Sequence, residues 1–149
     1  MASDAIICVG IRFIVADDAG PRAHDRLRAS GDIPPGVTLI DGGLRGLDLL
    51  GAMENRRRVV LVDTVSGYGP PGTVVTLDGA EVAAMAESYG HGAGLPYLLA
   101  MLPVATDAPP EECWLVGVEG PADEAAIERL AQRSLDIVRS VRTTSTCVP

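Results

Sequence analysis

Arg58-Val59-Val60-Leu61-Val62-Asp63 is an unbroken apolar run closed by an aspartate. A strand with no polar alternation is buried on both faces, which is the habit of a parallel sheet covered by helices on each side. Ala5-Ile6-Ile7-Cys8-Val9, ended by Gly10, is a second such run. Val37-Thr38-Leu39-Ile40, closed by Asp41-Gly42-Gly43, is a third, and Trp114-Leu115-Val116-Gly117-Val118 a fourth. Helix-like stretches lie between them. They are Arg22–Ala29, stopped by the Gly31–Gly36 segment with its Pro34-Pro35; Leu44–Met53, with leucine at helical spacing; Glu81–Ser88; Gly94–Leu102, closed by Pro103; and a long amphipathic stretch over Asp123–Arg142. Thr73–Leu77 follows a Gly/Pro-rich turn, Ser66–Gly72, too short to hold a crossover helix, so this strand is expected to be antiparallel and at an edge. The expected fold is therefore α/β. It is one three-layer α/β/α domain over 1–149, with a five-stranded, mostly parallel twisted sheet, one antiparallel edge strand, and 143–149 as a flexible tail.

Length and composition narrow the chemistry. The chain has 149 residues, 47% of them hydrophobic, which suits a single core. Its formal charge is −8, and all 12 basic residues are arginine. Without lysine there is no Schiff-base amine, no phosphate-loop lysine and no Ser–Lys dyad. An acidic chain with no basic stripe is a poor nucleic-acid binder, because such binding needs cations to neutralise phosphates. The three cysteines, Cys8, Cys113 and Cys147, have no CxxC spacing and suggest neither a thiolate zinc site nor a disulfide framework. Cys8 and Cys113 lie in apolar runs and read as small buried hydrophobes. No apolar stretch has membrane-spanning length and no cleavable leader opens the chain, so a soluble, cytoplasmic monomer is expected, without a membrane partner.

In an open parallel sheet, ligands bind in the crevice outside the carboxyl ends of the strands. Asp17 and Asp18 fall in the loop after the first strand, Asp41 after the second and Asp63 after the third. His91 sits in the glycine-flanked stretch Gly90-His91-Gly92-Ala93-Gly94, ahead of an apolar helix. Carboxylates and an imidazole suit a divalent first-row metal such as nickel, zinc or manganese. Each aspartate also reads as the N-cap of a following helix, and the histidine as a solvated or capping residue. Other sets are weaker. No serine lies in a G-x-S-x-G elbow, Gly10–Phe13 makes no dinucleotide fingerprint, and Cys147 lies in the tail. His24, between Arg22 and Arg26, reads as a solvated surface residue, and Arg56-Arg57-Arg58 as a solvated turn.

The order of these segments resembles the [NiFe]-hydrogenase maturation proteases. The resemblance runs from about Ile6 to Val138. It rests on the glycine-ended first strand, Asp17-Asp18-Ala19-Gly20, Asp41–Leu50, Val60–Asp63, Pro71–Val74, His91–Leu95 and Leu115–Val118. It implies an endopeptidase that removes the C-terminal extension of a hydrogenase large-subunit precursor after nickel insertion. The metal-contacting residues of the family fall on Asp18, Asp63 and His91, which would then be the catalytic set, engaging nickel carried by the precursor. Asp41-Gly42-Gly43 matches a glycine-rich, substrate-binding loop. On that reading the metal polarises the scissile carbonyl or activates water, and one of the carboxylates, or Asp17, serves as general base. The chain departs from the family at Arg12-Phe13, usually Gly-Asn, at Ala19, usually glycine, and at Gly92, usually glutamine. Those changes motivate an alternative, a non-catalytic binding protein that recognises a nickel-loaded partner. A small-ligand hydrolase on the same sheet is a third reading.

Overall fold

The computed structural model describes residues 3–44, 46–86 and 94–140. His91, Cys147 and the expected tail at 143–149 lie outside the described residues. The strands are β1 (Ser3–Val9), β2 (Val37–Gly43), β3 (Arg56–Val65), β4 (Val74–Asp78) and β5 (Glu112–Glu119). The helices are α1 (Ala19–Ser30), the single turn α2 (Leu50–Met53), α3 (Gly79–Ala84), α4 (Gly94–Ala105) and α5 (Glu124–Arg139). The five strands form one sheet in the order β2-β1-β3-β5-β4. The β1–β2, β1–β3 and β3–β5 pairs are parallel, and β4 runs antiparallel to β5 at the edge. The expected three-layer α/β/α fold is the fold observed.

The unbroken apolar runs have their cause in the two cores. Alternate residues of one strand point to opposite faces. Ile6, Cys8, Val60, Val62, Val116 and Val118 pack with Ala23 and Leu27 of α1 and Ile127 and Leu130 of α5. Their neighbours Ala5, Ile7, Val59, Leu61 and Leu115 pack on the other face with Leu49, Met53, Leu98 and Leu102. Helix α5 places Ala126, Ile127, Leu130, Ala131, Ser134, Leu135 and Val138 on one stripe. Its first turn is capped by Asp123, whose carboxylate accepts from the Ala126 N–H at 2.8 Å.

Several boundaries differ from the sequence reading for local reasons. Helix α1 begins at Ala19 rather than Arg22; Pro21 lies in its first turn, where its missing N–H costs no intrahelical bond. The helix expected over Leu44–Met53 is a 3-10 turn, Gly46–Leu49, followed by the single turn α2. Gly46 has φ +57° and the segment also contains Gly51, so its leucines sit on turns rather than on one helix face. Strand β2 continues through Asp41-Gly42-Gly43 instead of closing before it, and β3 extends beyond Asp63 to Val65. Helix α4 contains Pro103 instead of stopping at it, α3 ends at Ala84, and α5 ends at Arg139.

Two readings of polar residues are corrected. His24 is not solvated: it is 9% exposed, on the same face of α1 as Gly20 and Leu27, with its Nδ1 3.4 Å from Asp25 Oδ1. Nor is Arg56-Arg57-Arg58 a solvated turn, since all three residues begin β3. Arg57 makes two hydrogen bonds, each 3.0 Å, to the buried carboxylate of Asp4. Arg58 is 1% exposed, and its guanidinium donates to Glu112 Oε2 at 3.2 Å and to the Ile137 carbonyl at 2.5 Å. The arginine therefore ties β3 to β5 and to the end of α5. Arg58→Met keeps the apolar stem but removes the charged donor that joins Glu112 to the end of α5, while the Ile137 carbonyl keeps its bonds from Ser140. A loss of about 2–3 kcal/mol in urea unfolding is expected.

Candidate functional site

The order β2-β1-β3 puts the carboxyl ends of β1 and β3 side by side, and the chain leaves them in different directions. Gly10, directly after β1, has φ +143°, and a Cβ there would lie 2.4 Å from the Asp17 carbonyl oxygen. Only glycine lets the loop fold back so closely. The return is held by the Ile11 N–H, which donates to the Asp17 carbonyl and to Asp17 Oδ2, both at 3.1 Å. The Asp17 side chain is thereby planted at the end of β1.

Asp63 lies in β3 opposite Gly117 of β5. Its Oδ1 accepts from the Thr64 N–H at 2.7 Å. Burial above all, and the negative charge of Asp17 with it, push its carboxyl up to about 7 against that hydrogen bond. Asp17 and Asp63 both line a cavity of about 390 Å³ whose walls include Leu44, Leu47, Leu95, Tyr97 and Leu98. Asp63 also borders a second cavity of about 250 Å³ with Thr64, Tyr68 and Met85. A half-buried carboxyl raised toward neutrality in a cleft is a signature of a functional site.

The remaining expected residues are placed differently. Asp18 stands at the N-terminus of α1 but makes no capping bond. Its Oδ1 is buried, lies 3.6 Å from Arg22 Nη1, and has no hydrogen-bond partner among the described residues. The carboxylate on the cavity wall beside Asp63 is that of Asp17. Asp41 belongs to β2 and accepts from Arg12 Nη2 at 3.1 Å. Gly42 packs under Cys8 and Leu49, and the Gly43 carbonyl accepts from the Gly10 N–H at 3.1 Å. These three residues brace the floor of the crevice, while the wall is made by the next stretch, Leu44, Gly46 and Leu47. Sequence reasoning missed Leu44, Leu47 and Tyr97 as wall residues, because their spacing reads as the buried stripe of a helix. His91 is outside the described residues. Among the described residues, no group of three or more His, Cys, Asp or Glu is placed to share a metal ion. Cys8 and Cys113 are enclosed in apolar surroundings and burial pushes both thiols up, so neither is a nucleophile at neutral pH.

The arrangement so far is an acidic pair at the switch point of an α/β sheet, in an open apolar cleft. The family model of the hydrogenase maturation proteases matches residues 21–136, most of the chain. The chain belongs to the hydrogenase maturation protease family. Membership carries a peptidase role with it. The hydrogenase 2 maturation protease of Escherichia coli is 34% identical over 118 residues, 76% of this chain and 71% of that protein. The hydrogenase maturating endopeptidase HybD of E. coli superposes with a TM-score of 0.68 at 27% identity, over 91% of this chain and 89% of that one. The [NiFe] hydrogenase maturation protease HycI of Thermococcus kodakarensis, at 19% identity and a TM-score of 0.66 over 92% and 90% of the two chains, shares the fold. No helix among the described residues of this maturation protease is long and apolar enough to cross a membrane.

Proposed function

We propose that this maturation protease is a cytoplasmic endopeptidase that removes the C-terminal extension of a [NiFe]-hydrogenase large-subunit precursor once nickel has been inserted. The observation that carries this reading is the pairing of Asp17 and Asp63 on one wall of an open cleft, inside a chain of peptidase lineage. The cleft is walled by leucines and a tyrosine and is open to solvent, which suits an extended peptide segment entering from a folded protein.

Nickel belongs to the substrate in this account. The donor chemistry fits it: the carboxylates of Asp63 and Asp18 are oxygen donors suited to a divalent first-row ion, Asp18 Oδ1 being ion-paired with Arg22 at 3.6 Å without a hydrogen bond among the described residues, and His91 adds an imidazole. We assign Asp18, Asp63 and His91 as the groups that meet the precursor's metal, which supplies Lewis acidity at the scissile carbonyl. Asp17 holds one carboxylate oxygen on the Ile11 N–H and lines the cleft, so it is assigned as the general base that takes the proton of the attacking water. Asp41-Gly42-Gly43 position the wall loop and pass the substrate backbone along the floor.

The titration of Asp63 gives the reading a direct test. A carboxyl at about 7 is largely protonated in mildly acidic solution, and only its carboxylate engages a cation. The processing rate, as kcat/KM on a nickel-loaded precursor, is expected to rise about tenfold per pH unit below about pH 7 and to level off above it. A flat profile across this range would remove Asp63 from the reaction. A precursor that co-elutes with the protease at unchanged mass would instead identify a binding protein that does not cut.

A further inference from the structure

Seven large apolar or aromatic side chains are exposed among the described residues, and five of them lie in the two loops that supply lining residues to the cleft, three between Gly10 and Asp17 and two being Leu44 and Leu47. Phe13, Ile14 and Val15 follow β1, and Leu44 and Leu47 follow β2. Phe13 is the chain's single phenylalanine and is 92% exposed; Val15 is 71% and Leu44 68% exposed. The Phe13 loop is a built presentation. The Ile14 N–H donates to the Ile11 carbonyl at 3.2 Å and the Asp17 N–H to the Ile14 carbonyl at 2.8 Å. Arg12, next to Phe13, bridges Asp25 of α1 and Asp41 of β2, so the loop is tied on both sides.

Leu44 and Leu47 belong both to this patch and to the wall of the cleft. A chain that enters the cleft therefore emerges over the patch, and the body to which that chain is attached is what covers it. We propose that Phe13, Ile14, Val15, Leu44 and Leu47 form a docking rim for an apolar surface of the folded precursor, next to the root of its C-terminal extension. This rests on the precursor-processing function proposed above. Clustered apolar exposure with an aromatic anchor is the usual character of a protein-binding surface, and a few such anchors carry most of the affinity. The rim selects the folded body of the substrate, and the acidic pair acts on the segment that the body delivers.

The test compares wild type with the double variant Phe13→Ser/Val15→Ser, using Val104→Ser as a control, since Val104 is 76% exposed at the far end of α4. Circular dichroism and melting establish that each variant folds. On the purified nickel-loaded precursor of the chain's own genome, the double variant is expected to raise KM at least about tenfold with kcat within about twofold, and the control to change neither. An unchanged KM would overturn the proposal. So would sedimentation showing that wild type self-associates and the double variant does not, because the rim would then join copies of this chain. If wild type leaves every precursor uncut, the function proposal fails, and the rim is judged by affinity alone: weaker binding by the double variant sustains it and equal binding overturns it.

Discussion

Replacing Asp63 by asparagine is expected to abolish processing while making the fold more stable at neutral pH. The first effect follows from the position of the side chain. Asp63 stands on the cleft wall beside Asp17, where an amide carries no negative charge to meet a cation, so a loss of at least about a thousandfold in kcat/KM is expected. The second follows from linkage. The carboxyl sits at about 7 in the folded chain against 3.8 as its ordinary value. Between those values the native state holds a proton that the unfolded state has released. Stability therefore falls as pH rises through this window, and the deficit persists above it. Full enclosure would set it at about 4 kcal/mol, and water in the open cleft brings it to about 2 kcal/mol. The asparagine amide oxygen still accepts from the Thr64 N–H and the charge is gone, so urea unfolding of Asp63→Asn at about pH 8 is expected to show a gain of about 2 kcal/mol, vanishing near pH 4. The gain in stability follows from the raised carboxyl whatever its role, and the loss of processing is what separates a site carboxylate from a merely structural aspartate.

Gly20→Ala is expected to be the most damaging single-methyl change in the chain. A Cβ at Gly20 would lie 2.0 Å from the Val9 carbonyl oxygen and 2.8 Å from the Val9 nitrogen. Both are backbone atoms at the end of β1, so no side chain can rotate out of the way. Accommodating the methyl requires α1 to lift off the sheet, which opens the packing of Ala23 and Leu27 against Ile6 and Cys8. A loss of about 4 kcal/mol or more is expected in urea unfolding, a large fraction of the stability of a domain this size. The same close approach brings the Asp17-Asp18 turn onto the carboxyl end of β1. Any variant that survives folding should therefore process precursor slowly while keeping the Asp63-dependent pH profile, because the acid is retained and only its partner is displaced.

How much of this is legible before folding depends on the kind of interaction. The runs around Val60, Ile6 and Val116 reveal a buried parallel sheet because burial on both faces leaves no polar alternation. The short turn before Val74 likewise reveals the antiparallel edge, since geometry forbids a crossover there. His24 misleads because Arg22 and Arg26 flank it, yet Gly20 and Leu27, at helical spacing from it, mark its face as buried. Leu44 and Leu47 read as a helix stripe because leucine spacing alone cannot show that Gly46 turns the chain with positive φ. At the site, Asp63 is legible as an acid closing a strand. The choice between Asp17 and Asp18 is not, because adjacent residues in a loop point wherever the turn directs them. Here the Gly10 close approach and the Ile11 N–H direct Asp17 into the cleft and leave Asp18 beside Arg22.

This chain is proposed to cut a precursor only after its metal is in place. Intact mass spectrometry of the large subunit, incubated with the wild-type protease in nickel-loaded and nickel-free forms, tests it most directly. The nickel-loaded subunit is expected to lose the mass of its C-terminal extension while the nickel-free subunit keeps it. A nickel-loaded subunit whose mass is unchanged, or a nickel-free subunit trimmed equally fast, would contradict it.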